Sequence, residues 1–364
     1  MRKPRPCYAH KQRFCKEMAD FDSLPDGVIC LIFSMLGLAQ TVAQCAMVCR
    51  RWKNLSQIVD TLTFESFQLF ENRAESKRKA SSIEAVVSSM LLKTNGVRDL
   101  KIAYHPVVWP WIDDDHFSEK NVCTWIQHVK PSLEKLTLVD PNRTTPQPGK
   151  LIHLSDCKRL QWLNICYGSI PNIPLECHPF SLLKTCFLDL IVITDSALMD
   201  FVQLCPLLED LTINSCPGLQ SPHIRAENLK CLEFLNNLGN VAPIQRLCVN
   251  APKLVKASLS YVKELVTEGD GISALVLMCH VKPRIQSMPS LNSLYMHGQN
   301  WELDSISEYI RLATSLQQLH IDVKLEAKHP LRIDRFLGQL QHLNSLYIGS
   351  DFFKVWVSNF QAYY

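Results

Sequence analysis

Two hydrophobic rhythms divide this chain. In the first, Val28, Leu31, Ile32, Met35 and Leu36 recur at three- and four-residue spacing, which puts them on one helical face. Asp22 and Ser23 stand where a cap belongs. Pro25 suits a first turn because its missing N–H would be an orphan there, and Gly37 stops the helix. A second short helix is predicted over Val42, Cys45, Ala46 and Val48, and a third from Arg50 carrying Trp52, Leu55 and Val59 on one side. Three helices in about 45 residues bury little surface by themselves. Several of these side chains must therefore meet a partner or the rest of the chain; a helical subdomain packed on its own protein is the plainer alternative.

The second rhythm is apolar-x-x-apolar-x-apolar, found at Val97, Leu133, Leu160, Leu183, Leu208, Leu229, Leu254, Ile272, Leu291, Leu316 and Leu343. Steps vary from 18 to 36 residues, and from Leu133 onward they average about 23, inside the leucine-rich-repeat range of roughly 20 to 29. One such hexamer is an ordinary amphipathic strand, but eleven in series predict a solenoid. Each unit should give a short strand whose apolar side chains point inward and whose alternate residues line a stacked parallel sheet. Helices or turns belong on the convex side, as over Asp195–Leu204 and Leu303–Leu312.

The helical segment resembles the F-box. The resemblance rests on Leu24-Pro25, Val28, Ile32-Phe33, Leu36 and Val48-Cys49-Arg50-Arg51-Trp52, with a departure at Gly37, where many F-boxes carry Pro. It implies docking of a helical apolar face onto a Skp-family adaptor, through Leu24, Pro25, Val28, Ile32, Leu36, Val48 and Trp52. Of these, Leu36 and Trp52 are expected to serve partly the unit's own core. CPLLEDLTINSC (205–216), AENLKCLEF (226–234) and NAPKLVKASL (250–259) resemble plant F-box/LRR proteins, with Cys216 in the place of the Asn/Cys that closes a repeat's inner turn.

The reading is therefore an α/β chain in four parts. Residues 1–20 are a basic, disordered lead-in, with a targeting role as the alternative. Residues 21–66 are a three-helix F-box, 67–94 a linker or helical connection, and 95–364 an irregular leucine-rich-repeat array of about eleven repeats. The terminal FFKVWVSNFQAYY lacks an obvious polar cap, which leaves a truncated form open as an alternative.

Composition narrows the function. Lys and Arg number 38 against 35 Asp and Glu, for a net charge of +3, too even for a dedicated nucleic-acid binder. The 15 cysteines are scattered without a C-x-x-C pair, and the first apolar run, Val28 to Leu38, is too short to span a membrane. A reducing, cytoplasmic or nuclear setting with free thiols follows, and the Asn54 and Asn142 sequons carry no weight there. No phosphate-binding loop, nucleophile elbow, H-E-x-x-H or dinucleotide fingerprint occurs. Asp113–Asp115 with His116, His153/Cys157 and Cys177/His178 are poor metal sets, and Cys49 reads as a small hydrophobe. No cofactor is expected, and any ubiquitin-transfer chemistry belongs to other subunits.

The residue between the second and third apolar positions of each repeat gives a concave row. It runs Lys101, Thr137, Asn164, Phe187, Thr212, Glu233, Ser258, Val276, Tyr295, His320, Tyr347. Phe187, Tyr295, His320 and Tyr347, with nearby Trp162, are candidate anchors for a target; cross-strand stacking alone is the competing account. The insertions with Trp109-Pro110-Trp111 and over Asp140 to Lys150 are long enough to serve function or merely to cover the solenoid's end. The expected role is the substrate-recognition subunit of an SCF-type, cullin-RING ubiquitin ligase. It would reach cullin and RING through the adaptor and hold a protein target of unknown identity. A non-ligase interaction scaffold and a small-molecule-assisted receptor are the alternatives.

Overall fold

A computed structural model describes residues 23–65, 80–104, 116–140, 148–236, 242–278, 283–285, 288–325, 338 and 340–352. The basic lead-in, the Trp109-Pro110-Trp111 segment, Asp113–Asp115, positions 141–147 and the terminal residues from 353 lie outside them. Twelve parallel strands form one sheet, in chain order. They are β1 (Thr61–Glu65), β2 (Asp99–Ala103), β3 (Lys135–Val139), β4 (Trp162–Ile170), β5 (Thr185–Ile193), β6 (Asp210–Asn214), β8 (Cys231–Leu235), β10 (Lys256–Leu259), β12 (Ala274–Met278), β14 (Ser293–Trp301), β15 (Gln318–Leu325) and β16 (Ser345–Ile348). β7 (His223–Arg225), β9 (Leu247–Asn250), β11 (Glu264–Glu268) and β13 (Arg284–Ile285) form a second, four-stranded sheet.

Every hexamer read from the sequence becomes a strand of the large sheet, and one more precedes them. Val59, Leu62 and Phe64 have the same spacing and are fully buried, which makes β1 the first strand. Val59 was expected on the third helix. That helix ends at Leu55, and the residue belongs instead to the repeat pattern.

The reason the steps stack lies in the residue two before each strand's central apolar residue. Its carbonyl accepts two N–H groups from the next unit, at 2.7–3.2 Å, in all eleven steps from Asp60 (to Arg98 and Asp99) to Gln317 (to Asn344 and Ser345). One acceptor with two lone pairs thus satisfies both donors that open the following strand. Beneath this clasp the central residues form a continuous buried row, from Leu62 through Leu163, Leu232 and Leu294 to Leu319, none more than 2% exposed.

The other side is covered in two ways. Long steps hold helices: α4 (Ala80–Leu91), α5 (Glu119–Val129), α6 (Pro148–Ser155), α7 (Asp195–Gln203) and α8 (Leu303–Leu312). α5 and α7 are capped by Ser118 and Thr194, whose hydroxyls accept from Asn121 N and Ala197 N at 3.3 and 3.2 Å. The expectation of helices or turns on the convex side gives way in the middle to the second sheet, whose strands β7, β9, β11 and β13 occupy four successive steps of 21, 25, 18 and 19 residues (Leu208 to Leu291).

At the sheet's exit the chain turns sharply. Tyr167, Leu190, Ser215 and Tyr261 occupy one register position just past the open-face rows, and all have φ between 50° and 66°. Gly298 holds the same place in β14 with φ 122°. For the four non-glycine residues that conformation costs about 1–2 kcal/mol apiece, which the packing on either side must offset.

The helical unit comprises α1 (Asp26–Leu36), α2 (Ala39–Ala46) and α3 (Arg50–Leu55). Pro25 sits at the N-cap of α1 without a side-chain cap, and Val48 lies in the turn after α2 rather than in it. Gly37 ends α1 at φ 61°, a conformation closed to the Pro that many F-boxes have there. Its carbonyl accepts Thr63 N at 2.7 Å, and Leu38 bridges the same residue. The unit therefore covers the outer edge of β1, and Ile29, Phe33, Ala39 and Val42 share its core.

One buried ion pair holds the start of α6. Asp140, 2% exposed, meets Lys150 Nζ at 2.5 Å and accepts Phe117 N at 3.1 Å. Replacing Asp140 by Ala strands a mostly buried ammonium and a buried N–H. The expected loss is about 3 kcal/mol, read as a lower urea midpoint at unchanged slope.

Candidate functional site

The first candidate surface is the outward face of α1 with the turn before α3. α1 (DGVICLIFSML) is apolar nearly all round, so it must have two apolar faces. Ile29 and Phe33 point inward and are fully buried, whereas Val28, Leu31, Met35 and Leu36 stand 40%, 59%, 80% and 38% exposed. Ile32 is half-buried beside them. Met47 and Val48, at 79% and 66%, extend the patch from the α2–α3 turn, and Pro25 is exposed at its start. Leu24 is half-buried, and its carbonyl accepts Arg51 Nη2 at 2.5 Å; the same guanidinium pairs with Asp26 at 2.5 Å, tying α3 to the first turn of α1.

Trp52 is not on this surface. It is 8% exposed and packs edge-on against Phe33, ring centroids 5.6 Å apart, so it supports the face from behind. Spacing alone missed Met47. Leu31 and Met35 were legible on the helical face but were not singled out as docking residues.

The second surface is the open face of the large sheet. The row read from the sequence is the register row of the structure: Lys101, Thr137, Asn164, Phe187, Thr212, Glu233, Ser258, Val276, Tyr295, His320 and Tyr347 pair strand to strand without a break, and Thr63 extends it to β1. Its aromatics fall into two groups. Trp162 and Phe187 lie 5.5 Å apart on β4 and β5. Tyr295, His320 and Tyr347 form a column at the other end, with centroid spacings of 5.7 and 4.0 Å.

Between the groups the face is polar. Lys256 meets Glu233 at 3.2 Å, an interaction that raises the lysine's pKa. Asp189 accepts from the Asn214 amide at 2.7 Å, and Asp210 from the Thr185 hydroxyl at 3.3 Å. Next to the aromatic column, a cavity of about 390 Å³ is lined by Met278, His297, Asp322 and Lys324 among others, and His297 Nδ1 lies 3.3 Å from Asp322. Ser258, alone of the row, is buried.

Nothing here assembles a nucleophile. Burial pushes the Cys157 and Cys216 thiols up to about 12, and Cys186 and Cys205 upward as well. Cys216 turns its thiol to the carbonyls of Leu188 and Asn214, both at 3.4 Å, which is how it closes the inner turn. His153 shares a hydrogen bond with Gln127, and His178 faces Asp156. Among the described residues no three His, Cys, Asp or Glu side chains gather as a metal group, and no helix is long and apolar enough to cross a membrane.

Comparison with known proteins covers both the helical unit and the repeat region. An F-box-like family model matches residues 21–61, and a model described as FBD-associated F-box protein At5g56370, LRR repeats, matches 122–348, more than half the chain. This chain belongs to the F-box/LRR-repeat family. Relatives in Arabidopsis thaliana include F-box protein At1g10780, 24% identical over 85% of this chain and 72% of its own length. F-box/LRR-repeat protein At1g67190 is 26% identical over 53% of this chain and 43% of its own length. For Putative F-box/LRR-repeat protein At3g42770 the figures are 24%, 64% and 44%. The F-box/LRR chain thus spans less than half the length of these last two relatives. Neither matching family model describes an enzyme.

Thiols with raised pKa values stay protonated as pH rises toward 8; at a pKa of about 12 only about one in ten thousand is thiolate. Cys157, Cys186, Cys205 and Cys216 should resist iodoacetamide at pH 8 in the folded protein and react after unfolding, as peptide mass spectrometry would record. Rapid labelling of Cys216 in the native state would contradict this burial.

Proposed function

We propose that this F-box/LRR chain is a substrate-recognition subunit of an SCF-type cullin-RING ubiquitin ligase. The adaptor-binding face of α1 and the α2–α3 turn docks on a Skp-family adaptor, and the open face of the repeat sheet holds a protein target. The observation that carries this reading is the apolar set Val28, Leu31, Met35, Leu36, Met47 and Val48, left in water on a short helical unit whose other face is packed. Surface of that kind on a soluble chain favours burial against a partner's helices, at about 25 cal/mol for each Å² covered. Leu24, Pro25 and Ile32 border it, and Trp52 keeps α1 and α3 in place.

Such a receptor does no chemistry itself. It raises the local concentration of its target beside the transfer machinery, so the encounter becomes effectively intramolecular. The cullin and RING subunits are reached through the adaptor.

Co-purification of the full chain with a Skp-family adaptor tests the reading. Leu31→Glu/Met35→Glu should abolish capture without lowering thermal stability, since both side chains are exposed; Leu24→Ala/Pro25→Ala should abolish it too, with some loss of stability because Leu24 packs partly on the core. Trp52→Ala should also weaken capture, but by destabilising the helical unit by about 3 kcal/mol. A folded wild type that captures no adaptor would sink the proposal. Adaptor without cullin in the complex would favour a scaffold role instead.

A further inference from the structure

The two aromatic groups of the open face are separated by a fixed number of strands, and the strip between them has a charge of definite sign. Phe187 on β5 and Tyr295 on β14 are five strand intervals apart, through β6, β8, β10 and β12. At about 4.8 Å per interval that is roughly 24 Å, the span of about seven residues of extended chain. A polypeptide crossing the strands can set one side chain against Trp162 and Phe187 and another against the column Tyr295, His320 and Tyr347.

The outer end offers a seat as well as a surface. Tyr347 is 52% exposed, and the cavity beside the column, about 390 Å³, is large enough for a single bulky side chain. β12, β14, β15 and β16 contribute Ala274, Ser293, Gln318 and Ser345 to the row on one side of the column and Val276 to the column's own row, all uncharged. An apolar or aromatic side chain therefore stacks on an uncharged row, with the cavity's Asp322, Lys324 and Asp351 beyond it and Met278 and Val323 as its apolar lining.

Asp189 lies on β5 beside Phe187, and the strands between the two ends carry Asp210, Glu233 and Lys256. The lysine meets Glu233 at 3.2 Å and is also drawn by the charge of Asp210. Asp189 accepts from the Asn214 amide and the Cys166 thiol, and Asp210 from the Thr185 hydroxyl, so three carboxylates stand against one lysine. Further out at the sheet's entry, Lys230 is taken up by Glu209 at 2.6 Å, and Lys184 lies outside the strip on the same margin. Three carboxylates against one lysine favour a cation above them and repel an anion.

We propose that the target is held as an extended peptide laid across the strands, with two aromatic or bulky apolar residues six to eight positions apart and at least one Lys or Arg between them. This rests on the reading that the open face is the target surface, and it names the chemistry of the segment recognised. The aromatic ends supply most of the affinity; Asp189 and Asp210 favour the basic residue.

A displayed library of random 12-residue peptides, selected against the immobilised full chain, tests it directly. Enriched sequences should carry the spaced pair of bulky residues around a basic centre. A resynthesised winner should lose about tenfold in Kd with Phe187→Ala or Tyr347→Ala, and several-fold with Asp189→Asn/Asp210→Asn, the last effect shrinking in high salt. Asp189→Lys/Asp210→Lys should turn the selection toward acidic centres, an outcome that a merely damaged sheet would not produce. No enrichment, winners without the spaced pair, acidic winners on the wild type, or binding indifferent to these substitutions would each overturn the proposal. Adaptor capture by the same variants, measured in parallel, should be unchanged. Loss of peptide selection with capture intact refutes the peptide; loss of capture by the wild type refutes the ligase role.

Discussion

A single backbone acceptor, repeated once per unit, governs this fold. The carbonyl at the entry of each strand takes two N–H groups from the next, from Asp60 to Gln317, and so fixes where every following strand begins. Register is inherited rather than negotiated. A one-residue slip would turn a leucine to water and a polar residue to the core along the whole strand, so the clasp and the buried leucine row enforce each other. That mutual enforcement lets step lengths vary from 18 to 38 residues without disturbing the sheet (Leu254 to Ile272 against Val59 to Val97).

The same rule explains why one chain has two kinds of backing. Where the connection is long, an amphipathic helix such as α5 lays Val122, Trp125, Ile126 and Val129 on the row. Between β6 and β14 the chain returns instead as β7, β9, β11 and β13, which pair with one another. Both solutions bury apolar side chains and satisfy backbone donors, and length alone does not select between them, since β9 lies in a step of 25 residues just as α7 and α8 do. The sharp turn at Tyr167, Leu190, Ser215 and Tyr261 is common to both, because it occurs before the paths diverge.

Much of this was written in the sequence, because period-two alternation and a recurring hexamer are local signals. The open-face row could be read residue by residue, since strands of identical pattern leave only one register. The helical unit was legible as three helices for the same reason. What escaped was whatever depended on contact between distant segments. Val59 reads equally well as the end of a helix or the start of a strand, and only the carbonyl of Asp60 accepting from Arg98 and Asp99 decides it. Trp52 carries no mark that distinguishes a docking residue from a core residue until Phe33 is found against it. The division of the open face into two aromatic groups with carboxylates between them was also hidden, because it depends on which strands lie side by side and which charges are already paired.

The junction between Gly37 and Thr63 has a mechanical meaning. From β1 to β16 the sheet spans eleven intervals, about 50 Å at 4.8 Å each, so the helical unit sits at the fulcrum of a long lever. A tilt of about 10° at that joint would swing Tyr347 through roughly 9 Å, more than the spacing of neighbouring strands. One hydrogen bond from Thr63 N to a left-handed glycine, backed by Phe33 and Leu62 in a shared core, thus sets the aim of everything downstream.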